Sequence, residues 1–254
     1  HGMKQFVIIG MDSFGIAMAE ELSKLELELI IIDRDPSIIQ QWKDRADAAY
    51  STDTLDQATL EQIVPSGASG IIVDLMDASE DSILVTHYLT KLGHRRIMVR
   101  AKSREHGEVI GLLGAMKVVY PGREAAQRLV PSLVNHGLIS YTPMGRNLAF
   151  AEIPVPEDLM GSTVKDAQFR ARFSLNIVAV RTLDEASTSP LEDSSETADW
   201  LNITADYVFK ADTVLLVSGD NAAIQAYAHR FDQESGKGGW ARTLLSRLGR
   251  RKPR

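Results

Sequence analysis

KQFVIIGMDSFGIAMAEELSKLELELIIID, residues 4 to 33, decides the fold of this chain. The apolar run Phe6-Val7-Ile8-Ile9 ends in the turn Gly10-Met11-Asp12-Ser13-Phe14-Gly15. Phe14, Ala17, Met18, Glu21-Leu22 and Leu25 then recur with the 3.6-residue period of a helix. A second apolar run, Leu29-Ile30-Ile31-Ile32, closes on Asp33. The order is strand, glycine turn, helix, strand, acid. A helix N-terminus facing the carboxyl end of a parallel strand presents free N–H groups and a partial positive charge to a phosphate. A carboxylate on the tip of the next strand, about 20 residues on, is placed to accept the hydroxyls of a ribose. Asp33 stands at that distance from Gly10.

The usual nucleotide fingerprint is G-x-G-x-x-G, whereas this chain reads G-x-D-x-x-G: Gly10 and Gly15 are present and Asp12 replaces the middle glycine. A carboxylate there adds bulk and negative charge beside the phosphates. Three readings follow: a nucleotide in a shifted or weakened pose, a cation between Asp12 and the phosphates, or a site that has lost nucleotide and keeps only the fold. With the flanking strands and Asp33, the unit reads as Rossmann-type.

Outward from this stretch, the first half continues to alternate. Pro36 starts a helix running to about Arg45, residues 46–51 read as a strand, and Leu55 to Ile63 as a helix. Strands follow at 70–75, 96–101 and 117–120, with helices through Ile83 to Leu92, Glu105 to Leu113, and Arg123 to Leu133. Six strands alternating with helices predict a parallel, doubly wound sheet. Ligands in such sheets sit at the carboxyl ends of the strands. The residues there are Asp12, Asp33, Arg34, Asp53, Asp74, Asp77 and Arg100, an acidic rim with two cations. Asp33 is assigned to the ribose, Asp53 and Thr54 to the base or its ribose, and Arg100 to a phosphate; Gly10, Ser13, Phe14, Gly15, Arg34 and Met76 complete the candidate cofactor set. Many such aspartates end strands only because they suit turns. The alternative is a hard-cation site for Ca²⁺ or Mg²⁺ built from Asp12, Asp33, Asp74 and Asp77, since oxygen ligands without His or Cys suit those ions.

Residues 135–147 break the pattern and read as a linker between a first domain, 3–134, and a second, 148–232. The second domain reads strand, short helix, strand, strand, helix: 148–153, up to Phe169, 175–181, 211–219, and a helix capped by Asp220 through Phe231. That is a small α+β domain. Residues 184–199 hold six acids and no Lys or Arg, which predicts a solvated loop. The tail 233–254 is basic. Trp240, Leu244, Leu245 and Leu248 give it an apolar stripe, fit to lie on anionic lipid or a membrane partner, or else it is a frayed terminus.

The formal charge of −6 conceals an acidic body: seven of the 28 basic residues fall from Lys237 onward, leaving 21 against 34 acids before it, which argues against nucleic acid as a partner. No apolar run approaches 18 residues, no secretory signal is visible, and His1-Gly2 ahead of Met3 reads as a scar of expression. The chain has no Cys, which fits a cytosolic protein. No nucleophile–base pair is visible, and the six His show no metal spacing. The expectation is therefore a protein that is not an enzyme, with an NAD-dependent oxidoreductase as the remaining alternative.

The two domains in succession resemble the RCK (regulator of conductance of K⁺) family, also called TrkA-N plus TrkA-C, the cytosolic gating subunits of potassium channels and transporters of the Ktr/Trk type. The residues that carry the resemblance are Phe6 to Gly10 with Phe14-Gly15, Ile32-Asp33, Gly114 to Pro121, Leu159 to Val164, Phe173 to Arg181, and Ala211 to Gly219. The resemblance implies a cytoplasmic protein, peripheral at the inner face of the membrane. Its first domains would pair and build an octameric gating ring on a potassium pore. It implies ATP, ADP or NAD(H) in the first domain, or Ca²⁺ in its place. Gly10, Gly15 and Asp33 match the nucleotide motif; Asp12 and Ser13 depart from the Gly and Arg common there, and Gly122 stands where some members carry an acid. Arg170 and Asn176-Ile177 resemble positions that some members use for cyclic di-AMP at a dimer interface; the plainer reading makes Arg170 a surface charge and Ile177 core.

Overall fold

In a computed structural model, residues 2–76, 78–182 and 199–235 are described. Asp77, residues 183–198 with most of the acidic loop, and residues 236–254 with most of the basic tail lie outside the described residues. The chain divides into two compact units between Arg123 and Glu124.

The first unit alternates strand and helix: β1 (Gln5–Ile9), α1 (Ser13–Leu22), β2 (Glu28–Asp33), α2 (Pro36–Trp42), β3 (Ala48–Ser51), α3 (Gln57–Ile63), β4 (Gly70–Val73), α4 (Ser79–Lys91), β5 (Ile97–Arg100), α5 (Arg104–Leu112) and β6 (Lys117–Val119). The strands form one parallel sheet in the order β3-β2-β1-β4-β5-β6. Strand residues point alternately to opposite faces, and both faces here are apolar. Val7 and Ile9 face Leu60, Val85, Leu89 and Ile110 of α3, α4 and α5, whereas Ile8 and Ile31 face Ala19 and Trp42 of α1 and α2. The continuous runs Val7-Ile8-Ile9 and Leu29 to Ile32 are thus buried throughout, as parallel strands covered on both sides require. This is the doubly wound Rossmann-like sheet expected from the sequence.

The helices start where side chains can receive their first N–H groups. Asp12, Asp35, Asp56 and Ser103 accept at the N-termini of α1, α2, α3 and α5, satisfying N–H groups that have no partner within the helix. Hydrogen bonds to Ser37 and Thr59 hold the Asp35 and Asp56 carboxyls below the usual range.

The division between the units falls inside α6 (Pro121–Val134), which begins earlier than the sequence pattern suggests because Pro121 is a favourable first-turn residue. The second unit is an antiparallel sheet in the order β10-β9-β11-β8-β7: β7 (Ser140–Pro143), β8 (Leu148–Pro154), β9 (Leu175–Thr182), β10 (Leu201–Asn202) and β11 (Thr213–Asp220). The expected linker 135–147 is therefore partly structured: β7 pairs with β8, putting Tyr141 opposite Ala151 and into the core. The short helix expected before β9 is two, α7 (Val164–Ala167) and α8 (Phe169–Phe173), because Gln168 between them is left-handed at φ +45°. The final helix, α9 (Asn221–Ser235), starts where Asp220 accepts the Ala222 N–H at 2.7 Å. Its Ile224, Tyr227 and Ala228 close one core with Phe169, Phe209, Leu215 and Val217.

Candidate functional site

The strand order of the first sheet reverses between β1 and β4, and a cleft of about 290 Å³ opens at their carboxyl ends. Its lining comes from four strand ends: Gly10, Met11 and Asp12 after β1; Ile32 to Asp35 and Ile38 around β2 and α2; Thr52, Asp53 and Leu55 after β3; Asp74, Leu75, Met76, Ala78 and Asp81 after β4.

The turn after β1 explains which glycines the fingerprint needs. Gly10 has φ +90°, and a Cβ there would lie 2.0 Å from the Asp74 carbonyl oxygen. A Cβ on Gly15 would lie 2.3 Å from the Gly10 carbonyl oxygen. Both positions are fixed by the close approach of β1, α1 and β4. Asp12 has φ −76° and ψ −178°, extended backbone open to any residue, and its carboxylate caps α1 by accepting the Ser13 N–H at 2.7 Å. The fold therefore tolerates loss of the middle glycine; only the space left for a phosphate changes.

Asp33 ends β2 with its carboxylate held in place. Oδ2 accepts the Met11 N–H at 2.6 Å and Oδ1 accepts the Asp35 N–H at 2.8 Å. Each carboxylate oxygen has a second lone pair, so the group can still receive the two hydroxyls of a ribose. Ile38, Leu55, Leu75 and Met76 supply apolar surface beside it, suited to the face of a purine.

On the phosphate side, Asp74 is 1 % exposed. Its Oδ2 accepts the Gly15 N–H at 2.7 Å, and Arg100 Nη1 donates to Oδ1 at 3.1 Å. Burial pushes the Asp74 carboxyl up, against the pull of the Gly15 N–H and the Arg100 charge. The same guanidinium lies 3.4 Å from Ser13 Oγ and 3.7 Å from Asp12 Oδ2.

Of the sequence-derived cofactor set, Gly10, Asp12, Asp33, Arg34, Asp53 and Met76 line the cleft together. Ser13 and Arg100 join it through the Asp74 and Asp12 pairing rather than as lining residues. Phe14 packs into the core under α1, Gly15 is buried, and Thr54 gives its N–H to Thr52 Oγ1, so Thr52 takes the place assigned to it. The sequence reading missed Met11, Ile38, Leu55 and Leu75. The signal for all four was available, since each is an apolar residue within a few positions of a strand end.

Among the described residues, no group of three or more His, Cys, Asp or Glu is arranged to hold a metal ion. Asp12 and Asp74 are turned to Arg100, Asp33 to backbone N–H groups, and Asp77 lies outside the described residues. His106 and Ser82 form a contact of 2.8 Å without the logic of a nucleophile and base. Ser82 Oγ donates to the Ser79 carbonyl and His106 Nδ1 accepts the Lys102 N–H, so His106 Nε2 is a donor to Ser82. Burial holds the His106 and His94 imidazoles below their ordinary pKa.

A second groove belongs to the second unit. Val164, Gln168, Phe169, Arg170, Ala171, Leu175, Asn176, Ile177 and Ile203 enclose about 700 Å³. Arg170, Asn176 and Ile177 share this groove, while Arg170 is exposed and Ile177 packs against the core, as the plainer reading also has them. Gln168, which lines the groove, and Ser174 are both left-handed without being glycine and bracket α8, the kind of backbone strain that concentrates at binding sites.

Residues 6–121 match the TrkA-N domain family. The chain is 29 % identical over 188 residues to "Ktr system potassium uptake protein C" of Bacillus subtilis (strain 168), covering 74 % of this chain and 85 % of that protein. Among solved structures it is similar to the GsuK RCK domain, with a TM-score of 0.60 and 18 % identity over 90 % of this chain and 47 % of that one. It is also similar to the GsuK channel bound to NAD, with a TM-score of 0.58 and 17 % identity over 89 % of this chain and 39 % of that one. The chain thus spans less than half the length of these GsuK chains, and at such identities the likeness shows the fold.

Proposed function

We propose that this chain, whose residues 6–121 are a TrkA-N domain, is a cytosolic, non-enzymatic regulator of potassium transport. In this reading an adenine nucleotide, ADP, ATP or NAD(H), occupies the first cleft and biases the geometry of an assembly seated on a membrane pore. The observation that carries the reading is the Asp33 carboxylate, fixed by the Met11 and Asp35 N–H groups at the point where strand order reverses. Its similarity to a potassium uptake protein, and the fold it shares with a channel bound to NAD, support it. A ligand shifts such an assembly only by its differential affinity for two states.

Self-association is supported by apolar surface left exposed among the described residues. Leu129, Val130, Leu133 and Val134 form one stripe of α6 and are 65, 50, 80 and 63 % exposed, and no residue of that helix is buried. Leu112 of α5 and Met116 after it add a second patch. Exposed apolar area of this kind marks an interface, and a second copy of the chain is the occupant proposed, with a ring as the larger assembly. Domain limits of 3–134 and 148–232 are the functional division proposed, with the linker 135–147 contributing β7 to the sheet of the second domain.

A second ligand, cyclic di-AMP, is proposed for the groove around Arg170, Asn176 and Ile177, because the structure brings those three residues to one surface. Potassium uptake by cells lacking this chain tests the functional reading. Restoration of uptake by the wild type and not by Asp33→Ala is expected; equal restoration by both contradicts it.

A further inference from the structure

The phosphate end of the first cleft is already supplied with anions from its own chain. The Met11, Ser13 and Gly15 N–H groups, which face the ligand side of the turn, are accepted by the carboxylates of Asp33, Asp12 and Asp74. Arg100 lies between two of them, 3.1 Å from Asp74 and 3.7 Å from Asp12. Asp74 is buried, so its charge is neither screened by solvent nor free to swing away. A phosphate entering at this turn meets two carboxylates that already share one guanidinium, Asp74 fixed by burial and Asp12 half-exposed. In an ordinary helix N-terminal site the free N–H groups and the macrodipole reward each added phosphate charge.

Taking the nucleotide reading above as its basis, we propose that Asp12 and Asp74, with Arg100 held between them, set the phosphate-charge selectivity of the cleft. Among the adenine nucleotides proposed above, the metal-free site favours those of low phosphate charge over the triphosphate. Asp12 is the adjustable member of the pair, because its side chain is 47 % exposed and its capping bond to Ser13 survives replacement by Asn. Asp74 is the fixed member. The missing middle glycine is then a selectivity filter rather than a defect: the carboxylate that replaces it keeps the helix cap and adds a charge that scales its repulsion with the ligand's own.

The test is calorimetric titration of the full chain with adenosine, AMP, ADP and ATP in EDTA at low ionic strength, for the wild type, Asp12→Asn and Asp74→Asn, with circular dichroism to confirm that each variant is folded. Expected for the wild type is an affinity at least tenfold lower for ATP than for AMP. Asp12→Asn should raise ATP affinity about tenfold while changing AMP by threefold or less, and Asp74→Asn should shift the series in the same direction. ATP binding as tightly as AMP to the wild type, or an equal change for both ligands in Asp12→Asn, overturns the selectivity and leaves the nucleotide site standing. Absence of binding by all four ligands overturns the nucleotide reading, and the selectivity with it.

Discussion

The Asp74 carboxylate accepts the Gly15 N–H at 2.7 Å, tying the tip of β4 to the first turn of α1 across 59 residues of sequence. With Arg100 on its other oxygen, Asp74 joins the glycine turn, β4 and β5 at the mouth of the cleft. Glycine at 10 and 15 is what lets these backbones approach, and the carboxylate is what fills the space between them.

Replacement of Gly10 by Ala combines a left-handed φ of +90° with a Cβ 2.0 Å from the Asp74 carbonyl. Strain of this kind and a clash with backbone together cost about 3 kcal/mol or more. Urea denaturation should place Gly10→Ala well below the wild type, whereas Gly122→Ala, where a Cβ meets nothing, should lie within about 0.5 kcal/mol.

Asp74 gives the stability a pH signature. Its carboxyl is raised in the folded chain, chiefly by burial, so ionisation is harder folded than unfolded. The stabilisation it contributes is full below the ordinary carboxylate pKa of 3.8 and is lost as pH rises through the raised folded value. The stability of the wild type minus that of Asp74→Asn should therefore decline from pH 4 towards pH 7, when both are unfolded in urea at each pH. A difference that rises over the same range contradicts the assignment.

In the second unit, Arg181 donates through Nε and Nη2 to Glu152 Oε2 at 3.0 and 2.8 Å, with side chains only 4 and 13 % exposed. Ser140 Oγ donates to the other carboxylate oxygen. Removing one partner strands the other charge, a loss of about 3–5 kcal/mol. Arg181→Ala should show that loss in thermal or urea denaturation, and Arg181→Ala with Glu152→Ala together should cost less than the sum of the two.

The α6 stripe predicts the assembly state. Light scattering should find the wild type as a dimer or a larger ring, and Leu129→Asp with Leu133→Asp should lower the mass towards the 28.0 kDa of one chain. These side chains are exposed in the single chain, so the variant should keep its helical circular dichroism. An unchanged mass removes α6 from the interface.

The alternation of Phe6 to Ile9 with a helix and Leu29 to Asp33 made the parallel sheet legible, because a strand buried on both faces must be apolar at every position. Gly10, Asp12 and Asp33 were legible in the site for the same local reason. The partner of Arg100 was not: that Asp74 stands between it and Gly15 depends on the neighbouring positions of β4 and β5 in the sheet. β7 was missed because Ser140 to Pro143 is polar and short, and only pairing with β8 buries Tyr141. The turn at Gln168 was missed because a left-handed Gln has no sequence signature.

The most direct test of the central claim is calorimetric titration of the wild type and Asp33→Ala with ADP and with NAD. Saturable binding to the wild type, weakened at least a hundredfold in Asp33→Ala with an unchanged folded circular dichroism spectrum, is the result this account predicts. Binding of equal strength to both proteins, or none to the wild type, would contradict it.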